Sequence, residues 1–289
     1  MKSFDFCVVG NIFFDTIQIL DTYKTGVSNL GHGAKVDLGG TINTVRCLLE
    51  LCDKQTVFLS SVVGDDDIGA MALKVLSDMK KENSSFDYDV KKVSGLTTSA
   101  IVLCETETQT RSSVVNWGVC REHDSFYLPP AKWYHFMYLD TLDGITKNHF
   151  TSLPTDSIIS MDMCLSSHSK KQKDNILNLL EHVDYGIVSE DSALSITNEK
   201  VEIYSAMSLE NKLRKAAVVH SPKGSCVSTG ETQHMVYNNV IKNTKINVLG
   251  AGDAFAASFI YNTLDSENDI KHNTKAAHEY ATDFILRDK

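Results

Sequence analysis

The chain has 289 residues, 42% of them hydrophobic and 22% charged, with only four prolines. That excludes a disordered polypeptide, and no stretch free of Asp, Glu, Lys and Arg comes near the roughly 20 apolar residues that cross a bilayer. The net charge of −9, from 28 basic and 37 acidic residues, comes without any Lys/Arg cluster longer than two residues except the loose Lys170-Lys171-Gln172-Lys173. A nucleic-acid partner, which requires a basic face, is therefore not expected.

The first apolar run is bracketed by Asp5 and Asp15, too short and too acidic at its flanks for a secretory signal. Seven cysteines form no CxxC pair and ten histidines form no HExxH. They read as free, buried thiols of a cytoplasmic protein with no zinc site.

In chain order, residues 4–9 (FDFCVV) read as a buried strand running into Gly10. Residues 42–52 follow at helical spacing through Ile42, Val45, Leu48, Leu49 and Cys52. Thr56–Val63 returns as a strand, and Ile68, Met71, Val75, Leu76 and Met79 mark a second helix. Trp133–Leu139, Ser157–Met163, Tyr185–Val188 and Ala216–Val219 resemble further buried strands, with a helical pattern at Ile176, Leu177, Leu180 and Val183. Such alternation predicts a mostly parallel sheet with helices on both faces. Two stretches, 12–38 and 98–117, lack helical spacing and contain short alternating strands, with a polar turn at Glu105–Arg111. They read as a small β-structure projecting from one α/β domain that spans 1–289.

Three glycine-rich junctions carry the chemistry. Leu249-Gly250-Ala251-Gly252-Asp253 feeds a helix whose stripe is Phe255, Phe259, Ile260 and Leu264. Amides at such a helix start form an anion site, and an ionised Asp253 beside it is placed to take a proton from a hydroxyl attacking a phosphate. Gly39-Gly40 precedes another helix, with Asn43 one turn in as both donor and acceptor. Asp15 closes Gly10–Asp15 (GNIFFD), beyond the end of the first strand, where ligands of open α/β sheets bind. Asp140 follows the apolar run Trp133–Leu139, near where an acceptor would sit. Taken singly, each junction also fits ordinary helix capping.

Together they resemble the ribokinase-like (PfkB) carbohydrate kinases. GAGDAF at 250–255 is similar to that family's C-terminal signature, and Gly39-Gly40 with Asn43 to its glycine-pair motif. GNIFFD is similar to its first strand, and Val63-Gly64-Asp65-Asp66-Asp67-Ile68-Gly69 to its Val-Gly-x-Asp-x-x-Gly stretch. The resemblance implies a three-layer α/β/α body with a β-sheet lid, and transfer of the γ-phosphoryl group of ATP, with Mg²⁺, to a small-molecule hydroxyl. It implies Asp253 as base and the 250–252 amides (Gly250, Ala251, Gly252) as anion hole. Asp15, Gly39, Gly40 and Asn43 would hold the acceptor, and Ser189, Ser221, Lys223, Gly224 and Asn247 would meet the nucleotide. A homodimer through the lid is a further expectation.

Three departures from the family pattern matter. Its Asn-x-x-Glu is Ser189-Glu190-Asp191-Ser192 here, its Thr-Leu-Gly-x-x-Gly is Val219-His220-Ser221-Pro222-Lys223-Gly224, and its Asp-Thr ahead of GAGD is Asn247-Val248. No set of metal ligands is assigned, and potassium dependence is not expected. A monosaccharide is the expected acceptor; a nucleoside, or a non-catalytic binding relative, stays open.

Overall fold

Strands whose residues are apolar throughout must be covered on both faces, and the chain supplies them in series. In the computed structural model, which describes residues 3–107, 111–165, 168–238, 249–264 and 269–287, they assemble one large sheet. Its strands are β1 (Phe4–Val9), β4 (Val57–Gly64), β5 (Phe86–Val93), β8 (Ala131–Phe136), β9 (Ile158–Met163), β10 (Tyr185–Ser189), β11 (Ala216–Ser221), β12 (Gly224–Thr229) and β13 (Thr232–Tyr237). The order is β13-β12-β11-β10-β9-β8-β1-β4-β5, parallel except where β12 pairs with β11 and with β13. All eight residues of β4 are buried.

Helices cover both faces. On one side α1 (Thr41–Leu51), α2 (Asp67–Glu82), α7 (Ala251–Leu264) and α8 (Ile270–Arg287) pack around Phe6, Val8, Leu59, Trp133, Ile187 and Val218. On the other, α4 (Lys170–Leu179), α5 (Glu190–Thr197), α6 (Glu202–Glu210) and the short α3 (Lys147–Thr151) pack around Cys7, Tyr134, Phe136, Met161 and Val188. This is the expected three-layer α/β/α body. Helix α7 is buried from Asp253 through Ile260 and packs between α1 and α8.

The remaining strands, β2 (Ile12–Leu20), β3 (Gly31–Gly40), β6 (Ser99–Glu105) and β7 (Arg111–Asn116), form a separate four-stranded sheet in the order β3-β2-β6-β7. It fills the two stretches read as an excursion; the centre of the expected 105–111 turn lies outside the described residues. Its inner face holds Phe13, Ile17, Ala100 and Val102. Two acids fasten it to the body. Asp66 caps α2 through the Gly69 amide (2.8 Å) and accepts from the Thr97 amide (2.9 Å) and hydroxyl (2.6 Å), while Asp65 accepts from the Gly95 amide (3.0 Å).

Two expectations need correction. The strand expected through Leu139 stops at Phe136, because Tyr138 adopts a left-handed backbone (φ 54°) and Leu139–Thr141 turns into a short 3₁₀ helix. The thiols are free, but Cys52 and Cys104 are only half-buried and Cys164 is exposed. The chain runs from β1 outward to β5 and then resumes at β8 on the other flank of β1. Strand order thus reverses between β1 and β8, and the crevice beyond their carboxyl ends is where an open α/β sheet receives a ligand.

Candidate active site

At that crevice β2 leaves the body at Asn11, which is fully buried. Its carbonyl accepts from the Thr41 amide (3.0 Å) and hydroxyl (2.9 Å), and its amide group donates to Thr141 Oγ1 (2.8 Å). This one residue ties together the ends of β1 and β8 and the start of α1. Gly40 serves as N-cap of α1 at φ 66°, where an added Cβ would stand 2.5 Å from the Asn11 carbonyl oxygen. Gly39 is constrained differently. Its missing side chain leaves room for the buried Asp15 carboxylate, whose Oδ2 lies 2.3 Å from where a Cβ would be. Asn43 Nδ2 lies 3.5 Å from the same point.

Asn43 then reaches across to α7. Its Nδ2 donates to Asp253 Oδ2 at 2.8 Å, and the Tyr138 hydroxyl donates to Asp253 Oδ1 at 2.7 Å. Asp253 is 7% exposed and lies in the first turn of α7, whose first intrahelical bond runs from Ala254 N to Gly250 O (2.9 Å). The amides of Ala251 and Gly252 lie ahead of that bond, where a helix offers donors to an anion. Gly250, at φ 81°, makes the turn into the helix, and a Cβ there would meet Asn43 Nδ2 at 3.3 Å. Asp15, Gly39, Asn43, Gly250 and Asp253, drawn from separate parts of the chain, therefore converge.

Asp162, at the end of β9, accepts the Tyr138 amide. Burial pushes its carboxyl well above the usual range; the Tyr138 amide opposes this, and the negative charges of Asp253 and Asp140 add to it. Burial likewise raises the Tyr138 phenol, with Asp253 and Asp162 reinforcing it, so the hydroxyl stays a proton donor.

The segment expected to meet a nucleotide is a tight hairpin turn between β11 and β12. Ser221 pairs with Gly224, the Lys223 amide donates to Ser221 Oγ (3.3 Å), and Gly224 sits at φ 144° against the Val236 carbonyl. Lys223 is exposed and attracts Glu190, whose carboxyl is raised by burial and by a hydrogen bond with Glu202. Ser189 stands at the N-cap of α5, its hydroxyl donating to Ser192 Oγ (2.9 Å). Asn247 lies outside the described residues. His220, next to the last residue of β11, stacks on Phe255 (4.7 Å), its Cε1 3.7 Å from where a Cβ on Gly252 would stand. Burial, with help from His278, lowers its pKa to about 4, leaving a neutral imidazole beside the helix start.

The model of the pfkB family of carbohydrate kinases matches residues 4–286. The chain belongs to this family. It is a kinase, a phosphotransferase with an alcohol acceptor. In fold it is similar to adenosine kinase from Sinorhizobium meliloti (TM-score 0.79, 18% identity, covering 98% of this chain and 94% of that one). It is also similar to ribokinase from Thermotoga maritima (0.77, 14%, 99% and 94%). A third match is Arabidopsis thaliana ribokinase, solved with ribose and ATP (0.72, 15%, 100% and 94%). No curated protein matches it in sequence.

One placement in this PfkB kinase stands apart from the sequence reading. Asp140 is 2% exposed and its carboxylate already accepts from the amides of Cys164 (3.1 Å) and Leu165 (2.7 Å) and pairs with His168 Nε2 (2.9 Å). His168 Nδ1 meets Ser195 Oγ at 2.9 Å, so this buried chain of contacts pins the segment after β9 to α5. Tyr138, Asp162 and His220 were not found by sequence reasoning as site residues. The signal that points to Tyr138 is structural: a bulky residue in left-handed backbone at a strand end.

Proposed function

We propose that this kinase transfers the γ-phosphoryl group of ATP to a hydroxyl of a monosaccharide-sized acceptor. The observation that carries the reading is the bond from Asn43 Nδ2 that orients Asp253 at the start of a buried helix. As the acceptor oxygen forms its bond to the γ-phosphorus and the bond to the ADP leaving oxygen breaks, the acceptor proton passes to Asp253. The 250–252 amides stabilise the charge on the transferring group. Asp15 and Asn43, side by side over Gly39, suit the donors and acceptors of sugar hydroxyls. Ser189, Ser221, Lys223, Gly224 and Asn247 are read as the nucleotide's surroundings. We read residues 1–289 as one kinase domain and the seven free cysteines as the mark of a cytoplasmic protein.

Mg²⁺ is the metal this reading implies, an ion commonly held through one or two carboxylates and substrate phosphates. When bound, the ion neutralises phosphate charge, with Glu190 and Asp191 the carboxylates of the altered motif available to it. A nucleoside acceptor is favoured by one observation, the aromatic cluster of Phe13, Trp117 and Tyr138 beside Asp15. ADP release from ATP·Mg²⁺ with a panel of pentoses, hexoses and nucleosides separates the readings, with Asp253→Asn as control. Turnover on sugars supports the proposal, and turnover on nucleosides alone replaces its acceptor. Nucleotide binding without turnover refutes catalysis.

A further inference from the structure

Asp253 reaches its position with a hydrogen-bond donor already on each oxygen, Asn43 on Oδ2 and Tyr138 on Oδ1. Asn43 comes from the helix after the glycine pair and is an orienting contact that an acceptor can leave in place. Tyr138 is different, because its donor is a hydroxyl, the same group that an acceptor presents to the base. At 2.7 Å it already sits at the distance a general base keeps from the hydroxyl it serves.

The tyrosine is fixed from below rather than by its hydroxyl. Its amide donates to Asp162. Its carbonyl accepts from the Thr141 amide (2.8 Å) and hydroxyl (2.8 Å), and Thr141 is in turn held by Asn11. Those bonds maintain a left-handed backbone that a bulky side chain rarely adopts, and such strain persists only where the surroundings enforce it. The ring meets Phe13 of the lid sheet edge-on at 5.4 Å, and Phe13 meets Trp117 at 5.7 Å. A group built this way keeps its place when its hydroxyl loses a partner.

We propose that Tyr138 caps the catalytic base in the absence of an acceptor and yields that oxygen to the acceptor hydroxyl, an inference that rests on the kinase reading of Asp253. The capped state suppresses a specific side reaction. In it, water would give a proton to Asp253, form a bond to the γ-phosphorus and expel ADP, leaving inorganic phosphate. Tyr138 is thus a positioning residue that helps the site distinguish a held acceptor from water.

The test is ADP release from ATP·Mg²⁺ with no acceptor present, for wild type, Tyr138→Phe, Asp253→Asn and the double variant. Tyr138→Phe is expected to release ADP about tenfold faster or more, within the range over which a positioned base acts. The gain should vanish in the double variant, with ATP affinity unchanged. Tyr138→Leu, which also lacks the hydroxyl, should repeat the rise and covers the case of one variant failing to fold. Hydrolysis no faster than wild type in a folded variant that binds ATP normally overturns the cap. If wild type still phosphorylates a sugar or nucleoside, the kinase reading survives that result. A wild type that neither binds ATP nor phosphorylates any acceptor overturns both.

Discussion

Adjacent glycines at 39 and 40 do different work, and substitution separates them. An alanine Cβ at Gly39 would press on the end of the Asp15 side chain, which can move, whereas one at Gly40 would meet the Asn11 carbonyl and the Phe13 ring at φ 66°. Gly39→Ala should therefore leave thermal stability within about 1 kcal/mol of wild type while raising the KM for the acceptor several-fold. Gly40→Ala should lose about 1–3 kcal/mol, the size of an imposed backbone strain. Calorimetry and steady-state kinetics on both variants check this, and equal loss of stability at the two positions would contradict it. The glycine motifs, Asn43 and Asp253 are legible in the sequence because each lies at a glycine-marked junction into a helix, although the groups that press on the two glycines, Asn11, Phe13 and Asp15, come from a distant segment. Tyr138 and Asp162 are not, because each reaches the site only once β8 and β9 lie side by side, and no spacing encodes that.

Among elements, the join between α2 and the lid loop depends on charge. Partial burial pushes the Asp66 carboxyl up, but the Thr97 hydroxyl, the Thr97 amide and the Gly69 amide outweigh it and hold the group below its usual range. A carboxyl depressed by folding contributes stability above its unfolded pKa of about 3.9 and loses that contribution as pH falls through the folded value. The thermal midpoint should drop as the pH falls below about 4, and Asp66→Asn should flatten that limb while lowering the midpoint at neutral pH. An unchanged acid limb would refute the role. The reach of Asp65 to Gly95 and of Asp66 to Thr97, some thirty residues on, is a tertiary fact that no sequence spacing shows. Strands β12 and β13 escaped the sequence reading for a related reason: GSCVST carries its buried positions partly as serines, with Ser225 satisfied by His278 Nε2 at 2.8 Å.

At the scale of the whole molecule, alternation of apolar strand and helix made the three-layer body readable, and its absence marked the lid. Hydropathy does not say what the lid's outer face meets. Val36, Ile101 and Val114 are 54%, 53% and 72% exposed and lie in one cross-strand row through Thr16. We propose that a second copy of the chain covers that row, which would bury exposed β-branched residues on a sheet. Sedimentation should give a dimer for wild type and a monomer for Ile101→Lys with Val114→Glu; a monomeric wild type refutes the pairing. With a net charge of −9 the overall field does not attract an anionic nucleotide, so the proposed function needs a local site such as the start of α7. The measurement that tests the account most directly is therefore made at Asp253. With ATP·Mg²⁺ and the acceptor that wild type phosphorylates, Asp253→Asn should lower kcat by at least about 10²-fold while ATP affinity stays nearly unchanged. An Asp253→Asn protein that turns over at the wild-type rate would contradict it.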